Sequence, residues 1–456
     1  MIAMTVREVA DLVGGTLDGV DDPEIIVSGE VVIDSRAAGP GGLFVAIPGE
    51  RVDGHDFSSA AVANGAVAVL AQRRTGTPAI LVEDTVTALG VLARKTLARV
   101  AGGVTVIGLT GSAGKTSTKD LLAQVLESHG QTVSPVGSFN TEIGLPVTAL
   151  RVTPETRFLV LEMGARGKGH ISYLASLVPP RVGLVLNVGT AHMGEFGGRE
   201  QTAQAKGELV EALPAAADGG LAVLNADDSL VSAMVTRTMA RVLTFGLAQD
   251  ADVRAEDVAI FDGRAAFTLL IDGHREPVTL DLIGSHHVSN ALGAAAVAYG
   301  LGMGVPEIAA ALSLARRRSP GRMELLERAD GVTIINDAYN ANPDSVLAAF
   351  DAVEAFAGGR RKIVVLGEMA ELGDTSLQEH QRIGSEAARR GVDVIVGFGD
   401  AHARAILEGA GRGRLVSGIP EALELLGHEL RPRDVVLVKA SMSVGLQALA
   451  RELASR

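Results

Sequence analysis

From about residue 102 the chain alternates short apolar runs with amphipathic stretches. GVTVIGL, FLVLEMG (158–164), VGLVLNVG (182–189) and LAVLNADD (221–228) are nearly continuous apolar segments that end in polar residues. That pattern predicts strands buried on both faces of a parallel sheet, with ligands at their carboxyl ends. Between the first two, STKDLLAQVLESHG places Leu121, Leu122, Val125 and Leu126 on one face and Gly130 as a stop, which predicts a covering helix. After LARRRSPGRM (314–323), an Arg-rich Pro-Gly boundary, a second series begins: GVTIINDAYN, RKIVVLGEM, GVDVIVGFGD and DVVLVKAS predict four more strands with helices between. Ahead of both series, VVIDSR (31–36) and LFVAI (43–47) predict strands around the turn AAGPGG, and AAVANGAVAVLA a helix running into a strand. The expectation is an α/β protein of three domains: a small mixed unit over 1–101, a parallel-sheet unit over 102–318, and a second alternating unit over 319–456. Fixed-period repeats and low-complexity tracts are absent.

At 456 residues the chain exceeds what one core usually supports. Hydrophobic residues make up 47% but aromatics only 3%, with no Trp, so the cores must be built from Ala, Val, Leu and Ile. A formal charge of −13 argues against a nucleic-acid binder and requires any anion site to gather its cations locally. MIAMTVREVADLVGG carries Arg7, Glu8 and Asp11 where a signal peptide needs an apolar run, and ALGAAAVAYGLGMGV (291–305) is too short and Gly-broken to span a bilayer. A cytoplasmic monomer without membrane insertion is expected, and the absence of cysteine fits a reducing compartment.

The stretch GLTGSAGKTSTKD (108–120) nearly spells a phosphate-binding loop. The usual G-x-x-x-x-G-K-[ST] would put its first Gly at 109, where Leu109 stands; Gly111 gives T-G-x-x-G-K-T instead. Lying between a buried strand and a helix start, Thr110, Gly111, Ser112, Ala113, Gly114, Lys115 and Thr116 can present backbone N–H groups to a nucleotide. Lys115 would meet the β/γ-phosphates and the Thr116 hydroxyl a Mg²⁺. The plainer alternative, a Gly-rich turn with a solvated Lys, does not account for the order strand, loop, helix. Glu162 and His192 follow two neighbouring strands, where magnesium chemistry wants ligands. Taken singly, a strand-end Glu is usually solvated and a lone His structural. By default Lys206 would be a solvated helix lysine, Asn290 a helix-start polar residue and Asp337 a helix cap. No Asn-Lys-x-Asp string for guanine occurs, so a regulatory GTPase is disfavoured.

T-G-S-A-G-K-T-S is similar to the phosphate loop of the Mur ligases and their folylpolyglutamate synthetase relatives, and the resemblance runs over essentially the whole chain. It implies a central P-loop ATPase domain and a Rossmann-like carboxyl-terminal domain. LEMGARGKGHI resembles the strand with a magnesium-binding Glu, here Glu162; LNVGTAHMGEFG the segment with a metal-binding His, here His192; AKGE the site of a carbamylated lysine, here Lys206. GSHHVSNALGAAA resembles the adenine-contacting segment and implicates Asn290; His287 stands where Asn is common and receives no role. IDSRAAGPGGLFVAIPGERVDGHDF (33–57) resembles the UDP-sugar-binding domain, with Ser35 and Arg36 toward UDP-MurNAc. GSFNTEIGLP (137–146) is similar to the loop whose Asn140 and Thr141 face the muramyl-peptide. NDAYNANPDS (336–345) and LGEMAELG (366–373) resemble the branch that adds D-alanyl-D-alanine, which implies Asn340 and Asn342 near the dipeptide and Arg322 and Asp337 near the nucleotide. VKASMSVGLQ, with Ala440 and Met442 in place of Gly and Arg, is left without a role.

The resemblance implies ATP-driven amide formation. A UDP-MurNAc-tripeptide carboxylate would attack the γ-phosphate, and D-Ala-D-Ala would then attack the acyl phosphate. Lys115, His192 and Lys206 are the expected catalytic residues; ATP and one or two Mg²⁺, held by Thr116, Glu162, His192 and carbamylated Lys206, are the expected cofactors. Flexible connections near 314–321 would permit closure. The alternative is another Mur-type or folylpolyglutamate-type ligase, the latter disfavoured by the amino-terminal segment.

Overall fold

The computed structural model describes residues 1–49, 52–100, 103–189 and 198–456. Among them the strands form four sheets. In the amino-terminal segment, Val31–Val32, Gly42–Val45, Ala66–Ala71 and Ala79–Leu81 run parallel, with Thr16–Asp18 antiparallel at the edge. Met4–Thr5 pairs separately with Ile26–Val27. The strand expected over VVIDSR stops at Val32. Asp34 accepts from the Arg36 N–H and caps a short 3₁₀ turn, Ser35–Ala37, which competes with extension of the strand.

The central sheet has nine strands. Reading across, Thr132–Val133, Phe158–Glu162, Thr105–Thr110, Val182–Val185, Leu221–Asn225, Arg241–Gly246 and Val253–Phe261 are parallel. Thr105–Thr110 has later strands on both sides, so its carboxyl end is where the strand order reverses, the crevice in which such sheets bind ligands. One apolar layer under this sheet is continuous with the amino-terminal segment; Gly90, on helix Thr85–Arg99, lets Leu177 come within 2.8 Å of where a Cβ would sit. On the other face lies the Ala-rich helix His287–Gly300, against the helix Lys115–Glu127. That helix buries Leu121, Leu122, Val125 and Leu126 as expected, and Thr118, Lys119 and Asp120 as well. Gly130 follows it without a positive φ; it makes room for the Arg157 side chain.

Sequence reading missed one feature here: Arg264–Ile271 and His274–Ile283 extend the sheet as antiparallel strands, turning at Asp262–Gly263 and Asp272–Gly273. All four turn residues have positive φ, the two-residue hairpin geometry in which Asp-Gly is favoured.

The four expected carboxyl-terminal strands are Thr333–Asn336, Lys362–Leu366, Val394–Phe398 and Val435–Lys439, all parallel. Arg414–Val416 adds a parallel edge and Glu324–Glu327 an antiparallel one. The connection before them is docked rather than loose. Gln124 exchanges two hydrogen bonds with the Arg316 backbone, Asp120 accepts from the Ser319 N–H at 3.0 Å, and Arg318 forks onto Glu127. These three acceptors lie one helical turn apart on the helix that begins at the phosphate loop. Among the described residues no helix is long and apolar enough to cross a membrane.

Candidate active site

Two close approaches set the glycine spacing of the loop. A Cβ at Gly111 would sit 2.9 Å from Leu186 Cβ, and one at Gly114 only 2.6 Å from Asn290 Oδ1. Gly114 also has φ +82°, a conformation costly for other residues. Thus Gly111 and Gly114 are fixed by packing on the neighbouring strand end and on helix His287–Gly300, while position 109 lies inside the buried strand, where Leu109 is fully enclosed.

Asn187, at the end of the next strand, braces the loop. Its Oδ1 accepts from Ser112 N–H and Ala113 N–H at 2.9 Å each, and its Nδ2 donates to Ala113 O at 3.1 Å. Sequence reasoning gave Asn187 no role, although a polar residue ending an apolar strand was the available signal. Thr110 is fully buried and does not line the site cavity: its hydroxyl turns inward to Met163 O and its carbonyl accepts from Leu186 N–H. Lys115 donates to Gly111 O at 2.7 Å, and burial lowers its pKa against the opposing pull of Glu162. The Thr116 hydroxyl accepts from Arg322 at 3.1 Å, and the Arg322 guanidinium lies 4.3 Å from the Tyr339 ring centre.

Glu162 is fully buried. Ser138 Oγ donates to its Oε2 at 2.8 Å, while Oε1 has no hydrogen-bond partner. Ser138 in turn accepts from Asn140 Nδ2, and Asn140 O from Gly164 N–H. Lys119, also missed, is 1% exposed; its ammonium donates to Pro135 O and Gly137 O and pairs with Asp120, fixing the loop that presents Ser138. Lys206, on helix Arg199–Glu211, is not the solvated lysine of the default reading. It is 2% exposed, with no hydrogen bond from its ammonium among the described residues. Burial, with a smaller push from the charge on Lys115, drives its pKa well below the ordinary lysine value. His192 lies outside the described residues.

Asp337 does not cap a helix. It accepts from Lys439 Nζ at 2.5 Å and from Met323 N–H at 3.0 Å, and Lys439 also donates to Asn340 O. Burial depresses the Lys439 pKa and Asp337 opposes the shift. Lys439 belongs to the segment that sequence reading left without a role. Asn342 caps helix Pro343–Ala357, its Oδ1 accepting from Ser345 N–H, so that oxygen is committed to the fold.

One cavity of about 570 Å³ joins these elements: Lys115, Thr116, Asn290, Arg322, Asp337 and Asn340 all line it. Gly114, Asn140 and Asn342 line it too; Ser35, Arg36 and Thr141 do not. Arg36 points outward, paired with Asp34, and Ser35 is buried with its carbonyl accepting from Asn64. Thr141 accepts a long hydrogen bond, 3.4 Å, from Gly144 N–H.

Family models match in three places: the Mur ligase catalytic domain at residues 29–96, the Mur ligase middle domain at 109–298, and the Mur ligase glutamate ligase domain at 321–442. The UDP-N-acetylmuramoyl-tripeptide--D-alanyl-D-alanine ligase of Mycobacterium tuberculosis is 46% identical over 502 residues, covering 99% of this chain and 98% of that one. The chain belongs to the Mur ligase family. Among solved structures, MurF from Acinetobacter baumannii superposes with a TM-score of 0.88 at 31% identity, covering 100% of this chain and 99% of that one. MurF ligase from Thermotoga maritima in complex with ADP gives 0.80 at 30% identity, covering 94% and 98%.

In Mur ligase terms the cavity has an anion-receiving side, with loop amides and Lys115, and a facing side from the carboxyl-terminal segment, from which Arg322 reaches across to Thr116. Glu162 and Lys206 do not line the cavity themselves; Glu162 lies behind Ser138, which does, and the donor chemistry there suits magnesium. That ion takes oxygen ligands and usually pairs one or two carboxylates with phosphate oxygens. Glu162 offers a buried oxygen without a hydrogen-bond partner, and Thr116 a hydroxyl.

Proposed function

We propose that this chain joins D-alanyl-D-alanine to UDP-MurNAc-tripeptide at the expense of ATP, giving UDP-MurNAc-pentapeptide, ADP and phosphate in peptidoglycan precursor synthesis. The observation that carries the reading is the cavity that brings the phosphate loop together with Arg322, Asp337, Asn340 and Lys439, which come from a segment more than 200 residues further on.

The tripeptide carboxylate attacks the γ-phosphorus, ADP leaves, and an acyl phosphate forms. The dipeptide ammonium gives up one proton to solvent, and the amine nitrogen attacks the acyl carbon. The N–C bond forms, the C–O bond to phosphate breaks, and inorganic phosphate departs with its electron pair and takes up the second nitrogen proton. Bringing a carboxylate to a triphosphate sets like charges together. Lys115, Arg322 and the loop amides neutralise them in a partly buried site where their fields are weakly screened. Water must be kept from the acyl phosphate, and the two-sided cavity provides walls from both domains.

Thr116, Glu162, His192 and carbamylated Lys206 are the residues that would hold one or two Mg²⁺, which when bound would supply further charge neutralisation. A lysine whose pKa is driven down by burial keeps more neutral amine, the form that reacts with CO₂. On this reading Asn290, against Gly114, and Asp337 would contact the nucleoside; Asn140 and Thr141, with Ser35 and Arg36 in the amino-terminal domain away from the cavity, the UDP-linked peptide; Asn340 and Asn342, the latter through its side-chain amide nitrogen, the dipeptide. The enzyme works as a cytoplasmic monomer of three domains, 1–101, 102–318 and 319–456.

Phosphate release from ATP is the test. Release requiring both UDP-MurNAc-tripeptide and D-Ala-D-Ala, and lost in Lys115→Ala, is expected. Release that responds to a different amino acid would move the chain to a sister Mur ligase, and release with no acceptor pairing would remove the ligase reading.

A further inference from the structure

In the carboxyl-terminal sheet, Thr333–Asn336, Val435–Lys439 and Lys362–Leu366 are adjacent, so the loops that follow them converge. All three reach the cavity, through residues 337–342, 441–443 and 370–371. The third loop is held unusually firmly. Gly367 N–H donates to Lys439 O, Ser441 N–H to Glu368 O, and Ala370 N–H to Ser441 Oγ at 2.8 Å. Met369 N–H donates to His380 Nε2 at 2.8 Å, while His380 Nδ1 faces Ser376 O at 2.6 Å. Met369 and Leu372 are buried on either side.

Between these anchors stands Glu371, with φ +66°. A non-glycine residue there is strained, and such strain persists only where the surroundings impose it, often at sites of function. The fold thus presents a carboxylate side chain at the cavity on a backbone it would not choose alone. Glu371 lines the same cavity as Lys115.

The cavity carries three carboxylates: Asp337, Asp344 and Glu371. Asp337 is engaged by Lys439 and the Met323 N–H. Asp344 lies against the central domain, its Oδ2 2.6 Å from where a Cβ of Gly189 would be. An incoming dipeptide enters as a zwitterion, and its ammonium needs an anion beside the phosphate-handling lysine but on the opposite wall.

We propose that Glu371 is the residue that receives the ammonium group of the incoming dipeptide and aims its nitrogen toward the acyl phosphate held over Lys115. This rests on the ligase reading above. It assigns amine recognition to the loop 367–372, and to His380 and Ser441 the task of holding that loop in place.

The experiment compares D-Ala-D-Ala as substrate with its analogue in which the amine is replaced by hydroxyl, as a competitive inhibitor, in the wild-type enzyme and in Glu371→Gln. In the wild type the amine compound should bind more tightly than the hydroxyl analogue. In Glu371→Gln the KM for the dipeptide should rise roughly 10- to 100-fold, the loss expected of one charge-assisted contact, while the analogue's inhibition constant stays within about twofold. The urea-unfolding midpoint of Glu371→Gln should match the wild type and its affinity for ADP should stay within about twofold, which a collapsed site would not allow. An unchanged KM, or equal weakening of both compounds, overturns the proposal. Discrimination lost in Asp344→Asn instead transfers the role to Asp344 and overturns it too. A wild-type enzyme that ignores the dipeptide but uses another amine acceptor withdraws the ligase assignment, and this proposal with it.

Discussion

The Lys439 ammonium donates to the Asp337 carboxylate at 2.5 Å, joining the ends of two adjacent strands 102 residues apart. Both side chains are buried, at 2% and 8% exposure. Removing one partner of a buried pair leaves the other charge uncompensated, which typically costs about 3–5 kcal/mol. Lys439→Met should therefore lower the urea-unfolding free energy by about that amount. Asp337→Asn combined with Lys439→Met should cost clearly less than the two single changes added, because the double variant buries no lone charge. Additive costs would show that the pair is not coupled.

Asn187 has the loop in its grip through three hydrogen bonds. Asn187→Ala should loosen the backbone that receives phosphate while leaving the hydrophobic layers untouched. Nucleotide affinity, measured by titration calorimetry with ADP, should fall about tenfold or more, since the loop that carries Lys115 loses the brace that fixes its shape. A change below about twofold would mean that the loop holds its shape without the brace.

Gly114→Ala combines a positive φ with a Cβ 2.6 Å from Asn290 Oδ1. The backbone cost alone is about 1–2 kcal/mol, and Asn290 must also move. ATP should bind at least about tenfold more weakly, with a smaller effect on the KM for the dipeptide. An equal effect on both substrates would argue for general unfolding of the site.

His380 makes the carboxyl-terminal domain sensitive to acid. Burial, with a smaller contribution from the His402 ring 4.6 Å away, lowers its pKa to about 4, against the partial pull of the Ser376 carbonyl and Glu379. Both ring nitrogens are engaged, and a protonated ring could not accept from Met369 N–H. The folded state binds this proton less readily than the unfolded chain. The contribution of His380 is therefore fully present above pH 6.5 and is lost as pH falls toward 4, by at most about 3 kcal/mol. Urea unfolding between pH 7.5 and 4.5 should show this slope, and His380→Gln should flatten it. An identical slope in the variant would place the acid sensitivity elsewhere.

Lys206 should form a carbamate. With ¹³C-labelled bicarbonate near pH 8, a carbamate resonance is expected in the wild-type spectrum and none in Lys206→Arg, whose guanidinium does not react. Since burial depresses the lysine pKa, the signal should persist toward neutral pH, where an ordinary lysine would be protonated. A spectrum without the resonance at any pH would leave Lys206 as a buried amine.

Much of this site was legible before folding was considered. Gly111, Gly114, Lys115 and Thr116 announce a phosphate loop because a strand, a tight turn and a helix start need only neighbours in sequence. Glu162 could be picked out as a strand-end acid. The antiparallel strands Arg264–Ile271 and His274–Ile283 were missed although both Asp-Gly turns were in view. The outward positions of Arg264–Ile271 include Ala266 and Leu270, which are half-buried, so polar and apolar residues do not alternate cleanly. Lys119, Lys206 and Lys439 were read as solvated or passed over because burial of a lysine leaves no local mark; it depends on what other segments lay over it.

The sequence alone determined the alternation of buried parallel strands with helices and the backbone that cradles phosphate, because both are set by side-chain periodicity and by φ preferences within a few residues. Tertiary structure decided which groups meet. Arg322 reaches Thr116 across 206 residues and Ser319 reaches Asp120 across 199. Glu371 stands at positive φ directly after Met369 and Ala370, which His380 and Ser441 hold in place. Those encounters, and the depressed pKa values of Lys115, Lys206 and Lys439, arise from desolvation and long-range packing, which no window of sequence contains.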